Sequence, residues 1–216
     1  MTIPTLMINV SESEYISGAK KAYSTLFNAY NLAVLDNGTP DKWSLISYAS
    51  GGGASNIINT MAPYLKIAKK CDNNPGCSPD DWYKQLDGAD WNDDRSFYST
   101  AIMNDGSTIQ AFVYDENCAL DWGGPGLNAM WSTICGEVAY DVNGIKRPNR
   151  YGKDVFTFLI TKTGILAVDS FTSYCYKSGG TLFPNGWGCT AWVIQNGNVD
   201  YLHCSDLSWT GKRTCK

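Results

Sequence analysis

From Glu14 to Val34 apolar side chains recur at Tyr15, Ile16, Ala19, Tyr23, Leu26, Phe27, Tyr30, Ala33 and Val34, with Ser17, Lys20, Lys21, Ser24 and Asn28 between them. This i, i+3, i+4, i+7 recurrence predicts a one-faced helix over residues 11–35. Asp36-Asn37-Gly38-Thr39-Pro40 follows. It combines residues that tolerate left-handed geometry with a proline that cannot continue the helix, so the element ends near Leu35. A second helical pattern, Ile57, Ile58, Met61, Tyr64, Leu65 and Ala68, is interrupted by Pro63 and predicts a kinked helix or helix pair over residues 56–70.

The period then shortens to two. Residues 97–103 and 107–114 flank Asn104-Asp105-Gly106 and read as a β-hairpin, and residues 134–140, 155–160 and 164–168 read as further strands. Residues 189–202 fit either a last hairpin around Asn196-Gly197 or a short helix. Loops fall at residues 43–53, which end in Gly51-Gly52-Gly53, and around Lys177-Ser178-Gly179-Gly180 and Pro184-Asn185-Gly186. The triple glycine lacks the Lys and Ser/Thr that a phosphate-cradling loop needs, so it reads as a turn.

Composition narrows the class. With 216 residues, 44% hydrophobic and 18% charged, 8 Trp and 13 Tyr, the chain is long and apolar enough to bury a core. A net charge of −4 and the lack of a basic patch argue against nucleic acid as a partner, because such affinity rests on Lys and Arg neutralising phosphates. The eight cysteines, at 71, 77, 118, 135, 175, 189, 204 and 215, include no C-x-x-C pair, and His203 is the single histidine. Zinc sites of ordinary spacing need what is missing, so disulfides and an oxidising compartment are the reading. The cysteines cluster in twos around loop-like stretches, and sequential pairing is expected: Cys71 with Cys77, Cys118 with Cys135, Cys175 with Cys189, Cys204 with Cys215.

The most pattern-rich block runs from Asp141 to Phe156: Asp-Val-Asn-Gly, then Pro148-Asn149, then Gly152-Lys153-Asp154, leading into Val155-Phe156. Asn143-Gly144 suits a tight turn, and Asp141 suits an Asx-turn. Asp141, Asn143 and Asp154 are also hard oxygen donors of the kind calcium takes, although their spacing is not that of an EF-hand loop. Turn and calcium readings both stay open, and no other cofactor is expected.

Two segments carry a resemblance. The opening Met1-Thr2-Ile3-Pro4-Thr5-Leu6 with Lys20-Lys21-Ala22-Tyr23-Ser24-Thr25-Leu26, and the block 141–160, resemble in that order the bacterial prepilin-like proteins, type IV pilins and type II secretion pseudopilins. The leader, cleavage site and membrane-spanning half of the family's helix have no counterpart here. What the resemblance implies is a pilin-like α+β fold, with an N-terminal helix over residues 1–35 laid on an antiparallel sheet in a head over residues 36–216. It implies a structural filament subunit of a pilus or secretion pseudopilus, exported to the cell surface or periplasm. Other pilin-like subunits would be its partners through the stripe Tyr15, Ala19, Tyr23 and Leu26, and the inner membrane would be a partner of a full-length form.

An enzyme is not expected. No Gly-x-Ser-x-Gly elbow is present, and His203 stands beside Cys204 in what reads as a disulfide loop. The alternative is a secreted or cell-surface glycan-binding module, for which Trp82, Tyr83 and Trp91 among Asp80, Asp81, Asp90, Asp93 and Asp94 offer stacking surfaces, although such a stretch more often reads as a loop packed on a sheet.

Overall fold

The computed structural model describes residues 3–51, 54–91, 94–121, 129–169, 174–175 and 185–215, and for residues 3–10 and 129–130 the backbone alone. The expected features at Met1-Thr2, Gly52-Gly53, Asp93 and residues 177–180 lie outside the described residues. Helix α1 runs Ile3–Asn37, 35 residues, or about 52 Å at about 1.5 Å per residue. It ends where expected, with Gly38 at φ 74° donating its N–H to Val34 O at 2.9 Å.

Six strands follow: β1 (Ile67–Asp72), β2 (Ser99–Met103), β3 (Thr108–Val113), β4 (Ile134–Asp141), β5 (Val155–Thr161) and β6 (Gly164–Ala167). Every neighbouring pair is antiparallel and their order in the sheet is their order in the chain, so the sheet is a meander. Strands β3, β4 and β5 are buried along their whole length, because both faces of the sheet are covered.

One face carries α1 together with α2 (Ser55–Met61) and α3 (Thr190–Asn196). Ala19, Ala22, Leu26, Ile57, Met61, Val138, Phe156, Phe158 and Trp192 close that core. The other face carries loops that supply Trp82, Tyr83, Tyr151 and Trp187 against Phe112, Ile134 and Leu159. Alternation along β5 divides its residues: Phe156, Phe158 and Ile160 turn to the helices, Val155 and Leu159 to the loops.

The expected pilin-like fold is corrected here to an α+β fold described by its own elements; one local expectation falls with it, and the open choice at residues 189–202 goes to the short helix. The helix expected to reach Lys70 stops at Met61; Pro63 follows in a 3-10 turn over Ala62–Tyr64, and the chain then enters β1, paired with β2. Residues 67–70 mix apolar and lysine positions loosely enough to fit either period, and the open edge of β2 decides the matter. Residues 189–202 contain no hairpin. Asn196-Gly197 ends α3 instead, with Gly197 at φ 65° donating its N–H to Val193 O at 3.0 Å. The same left-handed preference serves a hairpin turn and a helix C-cap.

β1 is an edge strand bearing exposed Lys69 and Lys70, and its register with β2 shifts twice. At the other edge, β6 leads to Val168, whose carbonyl accepts the Ala191 N–H of α3 at 2.9 Å.

Candidate functional site

The loop from Asp141 to Asp154 links the ends of β4 and β5, paired through Asp141 and Val155. It lies under α1: a Cβ on Gly18 would stand 2.7 Å from Val142 Cβ, so only glycine lets the helix touch the loop here. It also rests on the β2–β3 turn, where a Cβ on Gly144 would stand 2.1 Å from Gly106 O and φ is 71°. Both contacts fix the loop's backbone before any side chain is considered.

Asp141 and Asp154 are 1% and 0% exposed. One Asp141 oxygen accepts the Asn143 N–H at 3.2 Å, which is the expected Asx-turn. Asp154 receives two main-chain donors, Arg150 N–H at 2.7 Å on Oδ1 and Asn149 N–H at 2.9 Å on Oδ2. Burial pushes the Asp141 carboxyl well above the usual carboxylate range, and the charge of Asp154 adds to the effect. Burial likewise raises Asp154, against the pull of its main-chain donors. Burial raises the Tyr15 phenol of α1, and the charge of Asp154 raises it further.

Asn149 completes the loop and was not singled out from sequence. It is 2% exposed at φ 52°. One end of its carboxamide lies 2.6 Å from Lys146 O, 3.1 Å from Gly144 O and 3.2 Å from Asp141 Oδ2. All three are acceptors. With the oxygen at that end, Nδ2 reaches Ile145 O at 3.4 Å; with the nitrogen there, the amide donates into the acceptors instead. Asn143 Oδ1 is buried without a hydrogen-bond partner, while its Nδ2 donates to Arg147 O at 3.4 Å. The three residues singled out by sequence therefore do converge. Asp141 accepts the Asn143 and Gly144 main-chain N–H groups, whereas Asp154 accepts those of Asn149 and Arg150 together with the Asn143 side chain and acts as a buttress. The Pro148-Asn149 pair, visible in the same block, was the signal for the missing member. No group of three or more His, Cys, Asp or Glu suited to a metal occurs among the described residues, so oxygen donors beyond the carboxylates would have to come from Asn and carbonyl groups.

The remaining candidates are distributed elsewhere. All four disulfides pair as expected: Cys71–Cys77, Cys118–Cys135, Cys175–Cys189 and Cys204–Cys215. They indicate an oxidising, extracytoplasmic environment. Among the described residues no helix is long and apolar enough to cross a membrane.

The stripe expected to face other subunits is corrected, because it packs on the chain's own sheet. Ala19 and Leu26 are fully buried, Tyr23 stacks on Phe158 with ring centroids 6.0 Å apart, and Tyr15 packs against the same core. An apolar stripe beside an apolar sheet buries itself at the first opportunity. Among its described side chains, the large apolar ones that α1 leaves exposed are Phe27, Leu32 and Leu35.

The aromatic, acidic loop turns inward too. Trp82 and Tyr83 are buried, with Arg95 5.1 Å above the Trp82 ring. A cavity of about 240 Å³ beside them is lined by Asp72, Asn74, Arg95, Tyr98 and Thr100. His203 places Nε2 2.8 Å from Glu12 Oε1, tying the last disulfide loop to α1. Compared with family models, curated proteins and solved structures, the chain matches none of them.

Proposed function

We propose that the protein is a structural subunit of an extracytoplasmic filament of the type IV pilus or type II secretion pseudopilus kind, assembled through its N-terminal helix with subunits like itself. The observation that carries this reading is the division of α1 into two faces. One is spent on the sheet, and the other keeps Phe27, Leu32 and Leu35 exposed at 42%, 46% and 78% on an otherwise polar surface. Such side chains lose apolar area to water until a neighbour covers them. The four disulfides fit a life outside the cytoplasm, and the resemblance of the two segments supplies the class of assembly. Contact between subunits then runs through the outward face of α1, not through the stripe on the sheet.

The glycan-binding alternative loses most of its own signal, since Trp82 and Tyr83 are buried and Trp91 is half-buried against the loop-side core. The filament reading is tested by shearing filaments from the source cells and probing the pelleted fraction with an antibody to the head. The protein is expected in the filament pellet and, after brief cross-linking, as a ladder of multiples; Leu32→Glu with Leu35→Glu empties the pellet while leaving the head folded. A protein found only as a soluble monomer overturns the reading.

A further inference from the structure

The cavity of about 240 Å³ beside Trp82 lies where β1 ends. One wall is the loop that the Cys71–Cys77 disulfide closes. Asp72 is tied down there: Ser99 Oγ donates to its Oδ1 at 3.3 Å and Thr100 Oγ1 to its carbonyl at 2.9 Å. The other wall is Trp82 with Arg95, whose guanidinium stands 5.1 Å over the indole and donates Nη1–H to Asp80 O at 3.0 Å. A disulfide, the edge of the sheet and a stacked guanidinium thus hold both walls in place without help from a ligand.

Three observations point to a ligand. Along the same segment Asp81 pairs with Arg147 and Asp90 with Lys84. Asp72, Asp80 and Arg95 share the cavity, yet none of them forms an ion pair among the described residues. The backbone is left-handed at two lining residues, Asp72 at φ 50° and Trp82 at φ 61°. Aspartate accepts that conformation readily, but a bulky indole does not, and such strain gathers at ligand clamps. Finally, Trp82 is 4% exposed and its Nε1 is buried without a hydrogen-bond partner. A buried donor that lacks an acceptor destabilises the protein until one reaches it.

Charge narrows the class of ligand. Two carboxylates repel an anion, and Arg95 beside them repels a cation. What suits all three is a neutral molecule rich in hydroxyls, each of which donates and accepts. The volume lies below the range of about 300–1,000 Å³ that drug-sized ligands use, which limits the occupant to about one ring. We propose that this cavity binds one ring of a neutral saccharide. Asp72 accepts from a sugar hydroxyl, Arg95 donates to another, and a sugar oxygen at the indole edge gives Trp82 the acceptor it lacks. Arg95 covers a face of the indole, so recognition runs through hydrogen bonds and not through stacking on a displayed ring.

The test is saturation-transfer NMR on the full chain with its disulfides intact. The probes are glucose, galactose, mannose and N-acetylglucosamine, with the uronic acid and the amino sugar of whichever binds as charged arms. At least one neutral sugar is expected to bind with a Kd on the order of 1 mM, and both charged arms at least about tenfold more weakly. Asp72→Asn keeps the backbone preference and the acceptor for Ser99, and Arg95→Gln alters an exposed residue. Each is expected to weaken binding about tenfold, and if one variant does not fold the other decides. Absence of transfer to all four neutral sugars at about 50 mM overturns the proposal. Binding unaltered by both substitutions overturns it by moving the sugar elsewhere, and a charged arm that binds as well as its neutral parent overturns the assigned class. The measurement reads the chain in solution, so its result is independent of whether the protein builds filaments.

Discussion

The two faces of the sheet are closed by different means. On the helix side, regular elements lay small and aliphatic residues against it: Ala19, Ala22, Leu26, Ala29 and Ala33 from α1, with Ile57 and Met61 from α2. On the loop side no α-helix among the described residues lies over the strands, only loops and short 3-10 turns such as Trp187–Cys189. Large rings do the work, with Trp82 edge-on to both Tyr83 and Tyr98, and Tyr98 against Phe112. That face also buries a carboxylate, Glu137, which accepts the Tyr114 O–H at 2.7 Å and the Trp187 Nε1–H at 2.8 Å. Irregular backbone covers a sheet when each segment delivers a few large side chains, and their polar tips must then be satisfied inside.

If both faces are true cores, the largest truncations should cost alike. Phe158→Ala, on the helix side, is expected to destabilise by about 3–5 kcal/mol, and Trp82→Ala, on the loop side, by a similar amount, both read from denaturant unfolding. A cost below about 1 kcal/mol for Trp82→Ala would make the loop face a removable cover and break the equivalence.

Alkaline titration probes both faces together. Burial raises the phenols of Tyr30 and Tyr201 on the helix side and of Tyr83 and Tyr114 on the loop side above the ordinary value of 10.0. A group whose folded value is raised contributes stability that is complete below its unfolded value and is lost as pH climbs toward the folded one. Stability should therefore decline above pH 10.0. Absorbance at 295 nm should show these phenolates forming only with unfolding, and early ionisation of the loop-side pair alone would mark that face as the looser one.

The smallest effect isolates the polar centre of the loop face. Glu137→Gln keeps the shape and the acceptor but exchanges charge-assisted hydrogen bonds for neutral ones, and should cost about 1–2 kcal/mol in equilibrium unfolding at pH 7. An unchanged stability would show that Tyr114 and Trp187 find other acceptors.

The same division explains what was legible in the sequence. The helix side announced itself through period: the α1 stripe, the strands from β2 to β6 and the Asn104-Asp105-Gly106 turn are local patterns. The loop side has no period, so residues 80–94 read as a loop packed on a sheet or, alternatively, as a displayed aromatic surface, and only the burial of Trp82 and Tyr83 decides for the first. β1 escaped because Lys69 and Lys70 make it look like the polar side of a helix, and its strand state depends on β2, far along the chain. At the candidate site, Asp141, Asn143 and Asp154 were visible as residue types. Their roles were not, because the folded loop's backbone and the Asn143 side chain determine that Asp154 buttresses and that Asn149 turns inward.

The lysine-bearing, twice-bulged border of the sheet has a consequence for how copies of this molecule can meet. A strand of a second copy laid along β1 would bring lysines against lysines on a backbone whose donors and acceptors fall out of step. The opposite border is short and runs on beneath α3. Neither rim is a template for its own image, so copies of this molecule at high local concentration are kept from fusing into a continuous cross-chain sheet.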